Sequence, residues 1–526
     1  MKTPPPGSSE AAAAPPQRAS HRIRSLRRAG RALTWFLVWA SLTLLITGIG
    51  IRLLFGTVTV DQMLLNLVAI QTDGGGGSAL LLLAIVCIAV LPLALTLAVA
   101  RLRARRLQKL RYSRRLTHRT RHGARLVSIL LAAGVIVMGT TAFRTTVKLD
   151  DFLAANQSTA DIGDYYTAPV VTDDTHKRNI VIIYLESGEA TLANDTLFEK
   201  DMLAPIAGAT EGWQSIENYR QYAGGGWTMA GIVSTQCGIP LKGKITASGG
   251  EIVHELMSGL DAYLPNETCL GDVLAEHGYR SVFMGGANPG FAAKDQFLSD
   301  HGYAEEYGLE DWRAAGEPDS EIRPDWGLSD ARLMVHAEQK VTELHEDAEA
   351  SGRPFNLSLL TLDTHEPAHV YDSCDVDTDE EMTSIYVCSM EAVAGFMRFM
   401  EDQGYLEDTA VVVMGDHLKQ LGTRGAFHDE LIGRSDRTIF NRVWIPKSAK
   451  HPRSEGELRS GSDQLSMYPT LLEAAGLKIR DGEAGLGVSA FTTDIPADSA
   501  LSLSAADYEA LLKARSDDFF ARAWGD

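Results

Sequence analysis

Five residues of this 526-residue chain have types and contexts suited to chemistry on an anionic ester: Glu186, Thr228, His365, Asp416 and His417. Glu186 follows the apolar run IVIIYL, His365 closes NLSLLTLDTH, and Asp416 and His417 follow AVVVMG. Two carboxylates and an imidazole form a hard-to-borderline ligand set suited to Mn²⁺, Mg²⁺ or Zn²⁺, and the Thr228 hydroxyl completes a set of four. A divalent cation lowers the pKa of a coordinated hydroxyl, which turns an otherwise unreactive threonine into a nucleophile. Thr228 lies in GGGWTMAGIVSTQCGIP, residues 224–240. Its glycines allow close backbone approach, and 228–235 can open a short helix whose free N–H groups and dipole favour an anion. His365 would protonate a leaving oxygen. The expected reaction is transfer at phosphorus or sulfur through a covalent threonine intermediate. The competing reading of 224–240 is a glycine turn ahead of an ordinary buried helix, with Trp227 either lining a lipid or sugar pocket or packing in the core.

The elements that must position these groups follow from hydropathy. Strands are expected at 180–185, 281–284, 356–362, 410–414 and 443–445. Helices are expected at 269–277, 330–350, 384–402 and 464–475. Strands alternating with helices imply an α/β domain with a mostly parallel sheet sandwiched by helices. Three of the strands run directly into Glu186, His365 and Asp416–His417. In open α/β sheets the ligand site lies beyond the carboxyl ends of the strands, so one edge collects all four groups.

The net charge of −19 is unevenly distributed, with 19 basic and 3 acidic residues up to Arg125 and 30 basic against 65 acidic beyond it. An acidic catalytic region argues against nucleic acid as a partner. Residues 1–32 read as a disordered basic cytoplasmic tail. Within 33–143 the segments 34–51, 78–100 and 126–143 are long and apolar enough to span a membrane as three helices. The shorter apolar stretch 58–70, carrying Asp61, reads as interfacial. Eleven Lys/Arg and no acid in 101–125, against two Asp and no basic residue in 56–77, place the N-terminus and the second loop in the cytoplasm. A polar linker, 144–178, then leads to a catalytic domain, 179–526, outside the cytoplasmic membrane. Four of the five cysteines, Cys237, Cys269, Cys374 and Cys388, fall in that exported region. They are disulfide candidates, with three connectivities open and Cys237–Cys269 with Cys374–Cys388 preferred.

The segments NIVIIYLES, GGGWTMAGIVSTQCGIP, CLGDVLAEHGY, GGANPGFAAKDQFLSDHGY, WGLSD, LTLDTHEP and MGDHL, in this order over about 179–469, resemble the phosphoglycerol transferases of the alkaline phosphatase and sulfatase superfamily. The similarity is to the membrane branch that moves phosphoglycerol from phosphatidylglycerol to osmoregulated periplasmic glucans of Gram-negative bacteria, with lipoteichoic acid synthase a more distant relative. The resemblance implies an alkaline phosphatase/sulfatase-like fold and an inner-membrane transferase with a periplasmic catalytic domain. It also implies one divalent ion, Mn²⁺ foremost, held by Glu186, Thr228, Asp416 and His417. Thr228 is then the nucleophile and His365 the histidine facing substrate phosphate. Lys294 and Asp295 stand in a segment that in the relatives faces glycerol and phosphate, where lipoteichoic acid synthase has a Trp and an Arg and this chain has FAAKD. A sulfatase proper would need a Cys or Ser in C/S-x-P-x-R, which Thr228-Met-Ala-Gly does not supply. The remaining alternatives are phosphoethanolamine transfer to lipid A or another envelope glycan, and a catalytically silent envelope scaffold.

Overall fold

The computed structural model describes residues 17–66, 73–74, 76–112, 118–243, 262–446 and 458–525. Two compact units result, one from 1–49 with 84–143 and the other from 50–83 with 144–526.

Among the described residues three helices, lying mainly in the first unit, are long and apolar enough to cross a membrane, at Ala29–Leu54, Leu81–Arg106 and Leu126–Thr146. Their large apolar side chains face outward; Ile129, Leu130 and Leu131 are each more than 60% exposed, as a lipid-facing surface requires. Close helix approach uses small residues: a Cβ on Gly139 would lie 2.0 Å from the Ser41 carbonyl oxygen. The first helix starts at Gln17, inside the stretch expected to be a disordered tail. Of that tail, residues 1–16 lie outside the described residues.

The second unit is built on a six-stranded sheet. Its strands are β1 (Asn179–Leu185), β2 (Arg280–Gly285), β3 (Tyr303–Tyr307), β4 (Phe355–Leu360), β5 (Thr409–Gly415) and β6 (Asn441–Trp444). The order is β3-β2-β4-β1-β5-β6, with only β6 antiparallel. β1 lies at the centre and is buried along its whole length. Ile180, Ile182 and Tyr184 enter one core cluster and Val181, Ile183 and Leu185 the other. That is why its sequence is a continuous apolar run rather than an alternating one. One face is covered by α1 (Thr228–Cys237) and α4 (Met467–Ala474), the other by α2 (Asp330–Ser351) and α3 (Glu381–Asp402). α2 buries Leu333, Met334, Ala337, Val341 and Leu344, the three-to-four spacing of an amphipathic helix, and Ser329 caps its first turn.

Two segments pack more closely than their sequences suggest. The segment 144–178 packs against the rest of its unit: Val147 and Ile162 are fully buried, Ile162 N–H donates to Ser516 Oγ at 3.0 Å, and Val171–Asp173 pairs with Lys478–Ile479. Between the first two long apolar helices, Val60–Leu65 forms a helix capped by Thr59, with Val58, Val60 and Leu65 buried. In both places a few apolar side chains in a polar context find protein surface to bury against, and short-range hydropathy does not register this.

Cys237 is bonded to Cys269, and Cys374 to Cys388. In the chain-entropy picture each bridge constrains the unfolded chain by about 3 to 4 kcal/mol. Cys374→Ser with Cys388→Ser is expected to lower unfolding free energy by about that amount in denaturant titrations, whereas a change below about 0.5 kcal/mol would contradict it.

Candidate active site

β1 ends at Leu185 and runs into Glu186, and β5 ends at Gly415, after which Asp416 and His417 emerge beside Glu186. The ligand-type atoms of Glu186, Asp416 and His417 all lie within 4.8 Å of one another and all three residues are buried. Asp416 Oδ1 accepts the backbone N–H groups of Ser187 (2.9 Å) and His417 (2.8 Å). Its Oδ2 has no hydrogen-bond partner and lies 3.5 Å from His417 Nε2. His417 Nδ1 donates to the Leu418 carbonyl at 2.8 Å, which leaves Nε2 directed at Glu186 Oε1, 3.8 Å away. Ser187, at φ 55°, adopts a left-handed conformation uncommon for a non-glycine residue, and its hydroxyl donates to Glu186 Oε1 at 2.7 Å.

Charge in this cluster is unbalanced. Burial, reinforced by the Glu186 charge, pushes the Asp416 carboxyl up to about 7. Burial also works against the Glu186 charge, but the His417 and His365 imidazoles outweigh it and hold that carboxyl below its usual range. His417 is desolvated too, yet the two carboxylates raise it. An orphaned buried carboxylate oxygen beside a second carboxylate and an imidazole nitrogen is the donor set of a divalent cation, and these residues fit one.

Thr228 is the first residue of α1 and the only one of its ten that is not buried. Its Oγ1 donates to Glu186 Oε2 at 3.3 Å. Close packing sets that position. A Cβ on Gly231 would lie 2.2 Å from the Asp416 carbonyl oxygen, and one on Gly225 2.2 Å from Gln464 Oε1. Gln464 ties the site together, donating to the carbonyls of Asp416 (2.7 Å) and Gly225 (3.3 Å) and accepting from Tyr222 N–H (3.2 Å). Helix dipole, unpaired N–H groups and hydroxyl thus converge at the mouth of the cluster.

His365 sits on the loop after β4, which is fastened to β1: Glu186 N–H donates to Thr361 Oγ1 (2.9 Å), and Thr364 Oγ1 to the Glu186 carbonyl (2.7 Å). Asp330 fixes the same loop by accepting the N–H groups of Leu362 (2.6 Å) and Asp363 (3.1 Å). His365 Nδ1 donates to the Glu366 carbonyl at 2.8 Å, and burial lowers its pKa despite the pull of Glu186.

The predicted headgroup segment divides. Lys294 is 5% exposed, its ammonium 5.6 Å from the Phe283 ring centre. Burial brings its pKa down to about 8, against the opposing charges of Glu306, Asp295, Asp416 and Glu186. Asp295 is half-buried and accepts from Gln296 N–H. Trp227 is buried in the core cluster that also holds Tyr222 and Met229, which gives it a packing role.

Sequence reasoning assigned no role to Ser187, whose hydroxyl bonds the side chain of its neighbour Glu186, or to Gln464 and Asp330, whose side chains act on main-chain groups far away in sequence. Among the described residues a second acid-histidine grouping, Cys269, Asp272 and His301, uses a sulfur already committed to a disulfide.

The loop between the first two spans also reaches this region. Asn288 N–H donates to the Gly74 carbonyl (3.0 Å), Gly76 N–H to the Asp325 carbonyl (2.8 Å), and Asp73 pairs with Arg313.

The chain resembles proteins already described. Phosphoglycerol transferase I of Escherichia coli is 31% identical over 389 residues, which cover 72% of this chain and 47% of that protein. The Shigella boydii protein of the same name is 31% identical over 390 residues with the same coverage. The chain thus spans about half the length of the curated relatives it matches. A solved structure of the lipoteichoic acid synthase LtaP from Listeria monocytogenes aligns at 16% identity with a TM-score of 0.46, covering 63% of this chain and 80% of that one. The family model described as Sulfatase matches residues 178–477, from the start of the central strand to the end of α4, and includes Glu186, Thr228, His365, Asp416 and His417. More than half of the chain is included in that match, and the chain belongs to the sulfatase family.

Proposed function

We propose that this protein transfers phosphoglycerol from phosphatidylglycerol to a glucan on the outer side of the cytoplasmic membrane, by double displacement at Thr228. The observation that carries the reading is the half-buried Thr228 hydroxyl, 3.3 Å from Glu186 at the exposed start of an otherwise buried helix. The likeness to the phosphoglycerol transferases I supports the choice of group transferred.

Glu186, Asp416 and His417, with the Thr228 hydroxyl, would hold one divalent ion, Mn²⁺ in our reading. When bound it lowers the pKa of the threonine hydroxyl and offsets charge on the phosphoryl oxygens. Thr228 Oγ1, its proton released to solvent, forms the new bond to phosphorus as the bond to the diacylglycerol oxygen breaks, and in the second half-reaction it departs as the same alkoxide. His365, its Nδ1 committed to the Glu366 carbonyl, takes up a proton on Nε2 as the anionic headgroup binds and gives it to that leaving oxygen. Diacylglycerol departs and phosphoglycerol remains on Thr228. A glucan hydroxyl then gives its proton to His365 and attacks phosphorus, and Thr228 leaves with its oxygen. The ammonium of Lys294 suits the anionic headgroup. Anchoring by the three apolar helices keeps a membrane donor at high effective concentration without tight intrinsic binding.

The test uses the full chain in detergent with Mn²⁺ and labelled phosphatidylglycerol or phosphatidylethanolamine, followed by mass spectrometry of the Thr228 peptide. A phosphoglycerol adduct, with diacylglycerol released only from phosphatidylglycerol, is the expected result. A phosphoethanolamine adduct would reassign the donor, and no adduct with either lipid would point to a silent envelope scaffold.

A further inference from the structure

The chain segment 323–328 clasps the His365 loop, and nothing in the reaction above uses it. The Arg323 side chain is fully buried. Its guanidinium donates to the carbonyls of His365 (3.2 Å) and Pro367 (2.6 Å) while pairing with Asp325 at 2.8 Å. Three residues on, Trp326 Nε1 donates to the carbonyl between them, that of Glu366, at 3.0 Å. The Trp326 ring also lies against the imidazole, its centroid 3.9 Å from that of His365 at an interplanar angle of 48°. On another side Phe291, three residues before Lys294, meets Trp326 edge-on at 5.5 Å.

Three consecutive carbonyls of a loop are therefore held by one buried cation and one indole. Burying a guanidinium is costly unless its donors are satisfied, and here two of its acceptors are main-chain groups of the loop that carries the histidine. The Glu366 carbonyl is shared, accepting from both Trp326 Nε1 and His365 Nδ1. Fixing that oxygen fixes which imidazole nitrogen is committed to the loop, and the ring contact fixes the imidazole plane.

We infer that Trp326 is a positioning residue for His365: it sets the plane of the imidazole and, through the Glu366 carbonyl, keeps Nδ1 occupied so that Nε2 faces the reacting ester. Arg323 holds the loop in the register this requires. The inference rests on the phosphotransfer reading of the site. Loss of the indole leaves the nucleophile and the metal ligands in place but lets the imidazole rotate, so turnover falls while substrate binding is spared.

The experiment measures hydrolysis of bis(p-nitrophenyl) phosphate, a diester that needs neither lipid nor glucan, by the full Mn²⁺-loaded chain in detergent. Trp326→Ala is expected to lower kcat at least about tenfold with KM within about threefold of wild type. Trp326→Phe, which keeps a ring and loses the donor, is expected to fall between the two. Acting through His365, the loss must vanish where His365 is absent: Trp326→Ala with His365→Ala should be no slower than His365→Ala alone, within about twofold. A purely structural role would make the two losses multiply, and that outcome overturns the inference, as would a Trp326→Ala kcat within about twofold of wild type. Should Trp326→Ala not fold, Trp326→Phe in the His365→Ala background carries the same comparison. A wild-type protein that turns over no phosphodiester would remove the phosphotransfer reading itself.

Discussion

Thr228→Ala is expected to eliminate the Thr228 adduct and to reduce transfer at least about 10³-fold, the scale on which removing a covalent nucleophile acts. The substitution should leave the fold intact, because Thr228 caps nothing: among the described residues its side chain bonds to Glu186, and the nine residues that follow it carry the packing of α1. Stability should change by less than about 1 kcal/mol, since alanine suits a first helical turn and no cavity is opened in the core. The Glu186–Asp416–His417 cluster remains, so metal binding should weaken only modestly. Thr228→Ser supplies the sharper comparison. It keeps a hydroxyl but frees χ1, so it should form the adduct more slowly than wild type while alanine forms none. Transfer by Thr228→Ala above about a tenth of the wild-type rate would exclude Thr228 as the nucleophile.

How much of this site the sequence discloses depends on whether position or partner is at issue. Glu186, Asp416 and His417 were legible because each follows directly on a buried parallel strand, and the topology of such a sheet leaves them at one edge. Thr228 was legible because glycines precede a short apolar helix. The groups that orient these residues were not. Gln464 reaches Asp416 from 48 positions away, and Trp326 reaches His365 from 39. Neither is marked by any local pattern. β3 was missed for a different reason: Tyr303–Tyr307 reads YAEEY and lies at the edge of the sheet, where Tyr303 alone is buried and no apolar run forms. Packing in 58–70, described as far as residue 66, and in 144–178 was not legible because their few buried side chains serve a core whose bulk lies elsewhere in the chain.

Asp416→Asn should uncouple folding from metal binding, with opposite effects on the two. The side-chain oxygen that replaces Oδ1 can still accept from Ser187 and His417, so the turn after β5 survives. The new amide nitrogen takes the place of Oδ2, the oxygen that has no partner within the protein, and presents donors where a cation would sit. Metal affinity should therefore drop by at least about 100-fold and transfer with it. Without metal the sign reverses. The Asp416 carboxyl is raised from its ordinary 3.8 to about 7, so between those values the folded state holds a proton that the unfolded chain has released. Stability of the metal-free wild type must accordingly decline as pH rises through that window and level off above it. Asparagine has no proton to lose there, and the metal-free variant should equal or exceed wild type in melting temperature at pH 8. Adding Mn²⁺ at about 100 times its dissociation constant for wild type should stabilise wild type by about 2.7 kcal/mol and the variant by no more than about 0.4 kcal/mol. Thermal melts of both proteins at pH 5 and pH 8, with and without Mn²⁺, measure all of this. A variant that gains as much from Mn²⁺ as wild type does would place the ion somewhere other than beside Asp416.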